Sequence, residues 1–261
     1  MWEFVKAEDR DGGIRILTVT RPEKLNALNA AVLDDVAAAV AQAEGDGALR
    51  CLVITGAGEK AFIAGADIGE LAKLTPLEGR EHARRGQALF DRISALPVPT
   101  IAAINGFAYG GGLELAMACT LRVAAENVRM GLPETSLGIL PGYGGTQRLA
   151  RIVGPARALE LVLTAEKGLT APEAERIGLV NKIFPAGQAL EGALGIAKKI
   201  VANGPVACRY AMEAVRRGME MPLAEGQLLE ATLFGLCAAT SDTKEGMAAF
   251  LEKRPARFTG R

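Results

Sequence analysis

Two glutamates set beside glycine-rich turns are the side chains in this sequence best suited to moving protons. Glu114 follows Gly110-Gly111-Gly112-Leu113, and Glu134 lies in Gly131-Leu132-Pro133-Glu134 at the head of a Gly/Pro-rich stretch. Further glycine turns occur at Gly65-Ala66 and from Gly142 to Gly145. A glycine backbone can approach another group closely because no Cβ intervenes. A helix beginning after such a turn offers unpaired N–H groups and a positive dipole end. Taken alone, Glu114 is either a helix-favouring surface residue or a catalyst beside an anion site. Chain spacing cannot bring these groups together. If the fold does so, the site holds two backbone N–H donors, two carboxylates and no metal. That set suits reactions through an enolate: the N–H pair holds the developing oxyanion and the carboxylates move protons.

Other chemistries find little to work with. The single histidine, His82, sits in the charged helical stretch Glu81-His82-Ala83-Arg84-Arg85 and reads as a solvated face residue. A zinc site or a Ser-His-Asp triad therefore lacks its parts. There is no P-loop and no G-x-S-x-G elbow. Cys51, Cys119, Cys208 and Cys237 form no C-x-x-C pair, which favours free thiols in a reducing compartment. The 30 basic and 30 acidic residues cancel, and without a basic block nucleic acid is disfavoured as a partner. The N-terminus has neither signal-peptide nor transit-peptide character, and no apolar run reaches the roughly 18 residues of a membrane span. A cytoplasmic protein without a membrane partner is expected.

The elements that must position the glutamates follow from periodicity. Gly13–Thr20 alternates as a strand, and Asn29 can cap a helix carrying Val32, Leu33, Val36 and Val40. Cys51–Thr55 and Thr100–Asn105 are continuous apolar runs, as in strands buried on both faces. Ala61–Ile68 is a short strand and glycine turn, with Asp67 able to begin a helix. Pro76 to Leu96 is a charged helix with Ala83, Leu89, Phe90 and Ile93 inward. Leu121–Ala124 is a further strand, and Gly131–Thr146 a long loop of the functional kind. Beyond it the chain is helical, interrupted by a possible strand at Leu179–Phe184; Thr170 caps one helix, and Ser241 or Asp242 the last. At 261 residues the chain could form one large domain or two small ones. Without a linker it reads as one α/β unit over 1–200, with a helical C-terminal region over 201–261 that packs on it or on a neighbouring subunit.

Taken in order, these segments resemble an enoyl-CoA hydratase of the crotonase superfamily. The resemblance runs through Arg21–Asn29, Phe62–Ile68, Asn105–Ala116, Leu132–Glu134, Pro141–Leu149 and Phe250–Arg254. It implies an α/β fold, a crotonase-type spiral of ββα units with a helical C-terminal trimerisation region, assembled as a homohexamer of two trimers. It also implies reversible syn hydration of a short-chain 2-trans-enoyl-CoA to the 3-hydroxyacyl-CoA. The reaction needs no cofactor, since coenzyme A is part of the acyl-CoA thioester substrate. The N–H groups of Ala66 and Gly111 would bind the thioester oxygen. Glu114 and Glu134 would hold and activate one water, Glu134 as main proton donor. Lys24, Leu25, Ala64, Asp67, Ile68 and Gly110 would line the CoA site, and Lys253 would reach phosphate on its own or a neighbouring subunit.

The two glutamates separate hydratases from relatives that isomerise, hydrolyse or decarboxylate. Isomerisation of a 3-enoyl-CoA, an RNA-binding role and an inactive scaffold remain as alternatives. The sequence departs from the pattern at Gly69, where many relatives have lysine, and at Thr120, where aspartate is common.

Overall fold

The computed structural model describes residues 2–261. A hairpin of β1 (Val5–Arg10) and β2 (Ile14–Val19) leads through a 3-10 turn at Pro22–Lys24 into α1 (Ala30–Gly45). β1 exposes all but its first residue, which is why its sequence carries no apolar alternation. Three ββα turns follow: β3 (Cys51–Gly56) and β4 (Ala61–Ile63) with α2 (Ile68–Leu71) and α3 (Pro76–Ala95); β5 (Thr100–Ile104) and β6 (Phe107–Tyr109) with α4 (Gly111–Ala118); β7 (Leu121–Ala125) and β8 (Arg129–Gly131) with α5 (Gly145–Val153) and α6 (Pro155–Leu163). β9 (Leu169–Thr170), α7 (Ala171–Arg176), β10 (Lys182–Phe184) and α8 (Ala189–Val201) complete the core. α9 (Pro205–Gly218), α10 (Leu223–Ala238) and α11 (Ser241–Leu251) form the helical C-terminal region.

The spiral follows from the sheet order. The first strand of each turn joins a six-stranded sheet, β1-β2-β3-β5-β7-β10, and the second joins a four-stranded sheet, β4-β6-β8-β9. Within each sheet the spiral strands pair in parallel. β3 and β5 are buried along their whole lengths, as continuous apolar runs require. Ile14, Ile16, Val53, Ile101 and Val123 face α8, while Leu17, Leu52, Ile54, Ala102 and Ile104 face the main core with α1, α3 and α4. The period-two alternation of each strand sorts its side chains between these layers.

Several expectations are corrected in detail. The stretch 131–146 is not one loop: Pro133–Leu137 is a 3-10 turn, closed by Ser136 Oγ donating to Pro133 O at 2.7 Å, and α5 starts at Gly145. β6, β8 and β9 are too short to show alternation in sequence. The last helix is capped by Thr240, whose Oγ1 accepts from Thr243 N, rather than by Ser241 or Asp242. Those two hold the C-terminal tail instead: Asp242 accepts from Thr259 N and Gly260 N, and Ser241 N donates to Arg261 O. At the departure noted at Thr120, its hydroxyl accepts from Thr100 N at 3.1 Å and from Arg216 of α9 at 2.7 Å. Among the described residues, no helix is long and apolar enough to cross a membrane.

Candidate active site

α4 is buried over all eight of its residues, and Glu114 is its only charged side chain. Such a helix belongs inside a core, and its carboxylate is 1% exposed. One oxygen, Oε1, accepts from Tyr143 N at 2.8 Å and Gly145 N at 2.6 Å. Burial, then the charge of Glu134, push the Glu114 carboxyl up to about 8, against the downward pull of those two N–H donors and of Arg148. Glu134 sits at the start of the 3-10 turn after β8, which Thr135 pins to α6 by donating to Val162 O at 2.6 Å. Its Oε2 is buried without a hydrogen-bond partner in the protein, and burial raises this carboxyl to about 7. Glu134 itself is half-buried with this one oxygen shielded, and two carboxyls facing one cleft resist ionising together.

The glycine turns meet beside this pair. Gly110 adopts φ +48°, ψ −124°, open to glycine but costly for other residues. A Cβ there would lie 2.6 Å from Glu134 Oε1 and 3.7 Å from the Cα of Gly65. The Gly65-Ala66 turn is held from the other side: Leu28 N donates to Gly65 O and Asp67 N to Leu28 O, each at 2.8 Å. Among the described residues, no protein group accepts the N–H of Ala66 or of Gly111, the first residue of α4. Both residues and both glutamates line one cleft of about 810 Å³. Two free N–H groups, one at a helix N-terminus, and a coupled carboxylate pair can stabilise an oxyanion and transfer protons next to it.

The remaining expected residues divide. Ala64, Ile68 and Gly110 line the cleft, and Ala64 N donates to Leu25 O, which places Leu25 at its edge. Lys24 is exposed at the end of its 3-10 turn, and Lys253 is exposed just beyond α11; neither lines the cleft within this chain. Asp67 caps α2 and pairs with Arg21 at 3.0 Å, so its carboxylate holds the turn that presents Ala66.

Three residues outside the expected set matter here. His82 is not a solvated face residue: it is half-buried, lines the cleft and hydrogen-bonds the hydroxyl of Tyr143. Its signal was helical phase, since His82 shares a stripe with Gly86, Leu89, Phe90 and Ile93, the buried residues of α3. Tyr143 lay within a flagged glycine turn, but its main-chain hold on Glu114 has no sequence signature. Asn26 is wholly buried at φ +59° and donates to Ala57 O, Ala61 O and Phe62 O.

Known proteins resemble this chain over nearly its whole length. The sequence pattern of the enoyl-CoA hydratase/isomerase family matches residues 9–261. A short-chain-enoyl-CoA hydratase of Clostridium acetobutylicum is 44% identical over 246 residues, covering 94% of each chain. A crotonyl-CoA hydratase of Syntrophomonas wolfei is 46% identical over 250 residues, covering 96% of each. Among solved structures, an enoyl-CoA hydratase from Bacillus anthracis superimposes with a TM-score of 0.95 at 38% identity, over 99% of this chain and 100% of that one.

Proposed function

This chain belongs to the enoyl-CoA hydratase/isomerase family, and from that premise we propose how its cleft hydrates a short-chain enoyl-CoA. The protein is an enoyl-CoA hydratase acting on short-chain acyl-CoA thioesters. The thioester carbonyl oxygen accepts from the N–H groups of Ala66 and Gly111. Charge that develops on this oxygen as C2=C3 is attacked meets fixed donors and the positive end of α4. Glu114 and Glu134 hold one water between them. Its oxygen bonds to C3 as one carboxylate takes its proton, and C2 receives a proton from the other carboxyl on the same face. The sum is H and OH added across the double bond; the pair again holds one proton, now on the other carboxyl, and its transfer back restores the starting state. The same steps reversed dehydrate the 3-hydroxyacyl-CoA. Coenzyme A enters as part of the substrate, along the edge formed by Leu25, Ala64 and Ile68, with Lys24 and Lys253 as phosphate contacts.

The observation that carries this reading is one cleft lined by buried Glu114, half-buried Glu134 with a shielded oxygen, and two N–H groups without a protein acceptor. A cytoplasmic setting and a hexamer of two trimers complete the proposal; exposed apolar side chains on α9 to α11 support the assembly.

The test follows the loss of the conjugated enoyl absorbance of crotonyl-CoA. Glu134→Gln keeps the shape of the side chain and removes its proton chemistry. Turnover is expected to fall by at least ~10². Near-normal hydration by this variant would overturn the assignment of Glu134.

A further inference from the structure

His82 is the only histidine of the chain, and the two-glutamate reaction leaves it without a role. It extends from α3 to the wall of the cleft, where its ring lies 5.4 Å from that of Tyr143 and its Nε2 is hydrogen-bonded to the tyrosine hydroxyl. The tyrosine ring is held closely. It is 3% exposed, meets the edge of Phe90 with centroids 5.5 Å apart, and covers Gly86, where a Cβ would come within 2.1 Å. The same residue donates its main-chain N–H to Glu114 Oε1. Tyr143 thus joins two groups far apart in sequence: its side chain reaches the imidazole on α3, and its backbone holds the carboxylate on α4. A second tie from α3, Gln87 donating to Gly142 O at 2.9 Å, is on the exposed side of the loop.

We propose that His82 is a positioning residue for hydration, fixing through the Tyr143 phenol the loop whose N–H groups hold Glu114. The proposal rests on the reading of Glu114 as a member of the proton-transfer pair. His82 does not exchange a proton with substrate.

The charges around each group set the expected pH behaviour. His82 faces Glu70 on α2, Arg85 on its own helix and the Tyr143 hydroxyl; burial outweighs Glu70 and favours the neutral ring. Burial also raises the Tyr143 phenol, followed by the charges of Glu114 and Glu70, so the hydroxyl keeps its proton and, with the ring in its Nδ1–H tautomer, donates to Nε2. Glu114 faces Glu134, which raises it, and Gly145 N, Tyr143 N and Arg148, which lower it. Loosening Tyr143 therefore weakens a donor that favours ionised Glu114. With Glu114 as the water-activating carboxylate, the acid limb of the rate profile moves to higher pH.

The experiment compares wild type with His82→Ala, His82→Gln, Tyr143→Phe and the double variant His82→Ala/Tyr143→Phe. It measures crotonyl-CoA hydration from about pH 5 to 9 together with the thermal midpoint of each protein. Loss of one hydrogen bond on this path is expected to lower kcat roughly tenfold in His82→Ala and in Tyr143→Phe, with a smaller change in KM. In both, the acid limb shifts upward. The double variant is expected to match the more damaged single one, because both substitutions break the same contact. His82→Gln, whose amide oxygen can accept the phenol proton, recovers most of the rate. An unchanged pH profile, whatever the thermal midpoint, overturns the proposal, as do additive losses in the double variant. If His82→Ala does not fold, Tyr143→Phe decides alone, since it removes one hydroxyl. Full activity in Glu114→Gln would instead overturn the two-glutamate reading on which the proposal rests.

Discussion

Glu114 costs the folded chain stability at neutral pH and above. Its carboxyl is raised from an ordinary value of 4.5 to about 8, chiefly by burial. The folded state therefore holds a proton that the unfolded state has released anywhere between these values. The unfolded chain binds fewer protons there, so stability falls as pH rises from about 4.5 to about 8 and then levels off. Glu114→Gln removes this slope and keeps an oxygen able to accept from Tyr143 N and Gly145 N. The variant is expected to be nearly inactive and yet more stable than wild type at pH 8, by on the order of 2–4 kcal/mol. The difference should narrow towards pH 4.5. Thermal midpoints of both proteins across that range check this, and a constant offset would show that the Glu114 carboxyl is not held up by burial. The same residue shows why the sequence left two readings open: a glutamate in the first turn of a helix looks alike on a surface and in a core. Its apolar neighbours Leu113, Leu115 and Met117 hint at burial, but the donors that hold it are 29 and 31 residues away.

At the scale of elements, the proposed oxyanion site depends on how the Gly65-Ala66 turn is tied to the segment before α1. Leu28 ties the turn directly, and Asn26 ties the β4 strand that leads into it. The Asn26 Nδ2 donates to Ala57 O, Ala61 O and Phe62 O at 3.0, 3.0 and 3.2 Å, and its Oδ1 accepts from Arg21 N at 2.9 Å. Arg21 in turn holds Asp67 and Ala27 O. Asn26→Ala would leave buried carbonyls unsatisfied and keep a left-handed backbone that alanine resists. A loss of roughly 3 kcal/mol is expected in urea unfolding, with a fall in kcat/KM as Ala66 loses its support; a loss under about 1 kcal/mol would mean the carbonyls find other donors. The elements themselves were largely legible, because β3, β5, α1 and α3 carry long apolar runs or helical stripes. The glycine turns at Gly65-Ala66 and Gly110–Gly112 were legible as turns from their glycines alone. Asn26, His82 and Tyr143 were not, because their work lies in contacts between segments that no local period records. The Thr240 cap was missed because three consecutive residues, Thr240, Ser241 and Asp242, could all cap, and only the C-terminal tail decides which two are engaged elsewhere.

For the whole molecule, the helical C-terminal region poses the question its sequence left open, whether it packs on its own core or on another subunit. α10 carries Leu223, Leu228, Phe234 and Leu236, yet among its residues only Leu233 is buried. Its neighbours add exposed Val215 on α9, Met219 just after it, and Phe250 and Leu251 on α11. Phe234 is 75% and Phe250 84% exposed. Large apolar side chains exposed on three successive helices suit an interaction face, and a further copy of the chain is the proposed cover. Arg216 docks α9 on the core through Thr120, so this face is presented by a fixed helix and not by a loose tail. Sedimentation of the wild type is expected to show a hexamer. Phe234→Glu would place a charge where the proposed contact is driest, at a cost of several kcal/mol per contact, and is expected to yield smaller species with the core still folded. A wild-type protein that sediments as a single chain would remove the assembly from the proposal and leave the cleft to work alone. In that case Lys253, exposed beyond α11, would lose its route to substrate phosphate through a neighbouring subunit, and Lys253→Ala should leave KM for crotonyl-CoA unchanged.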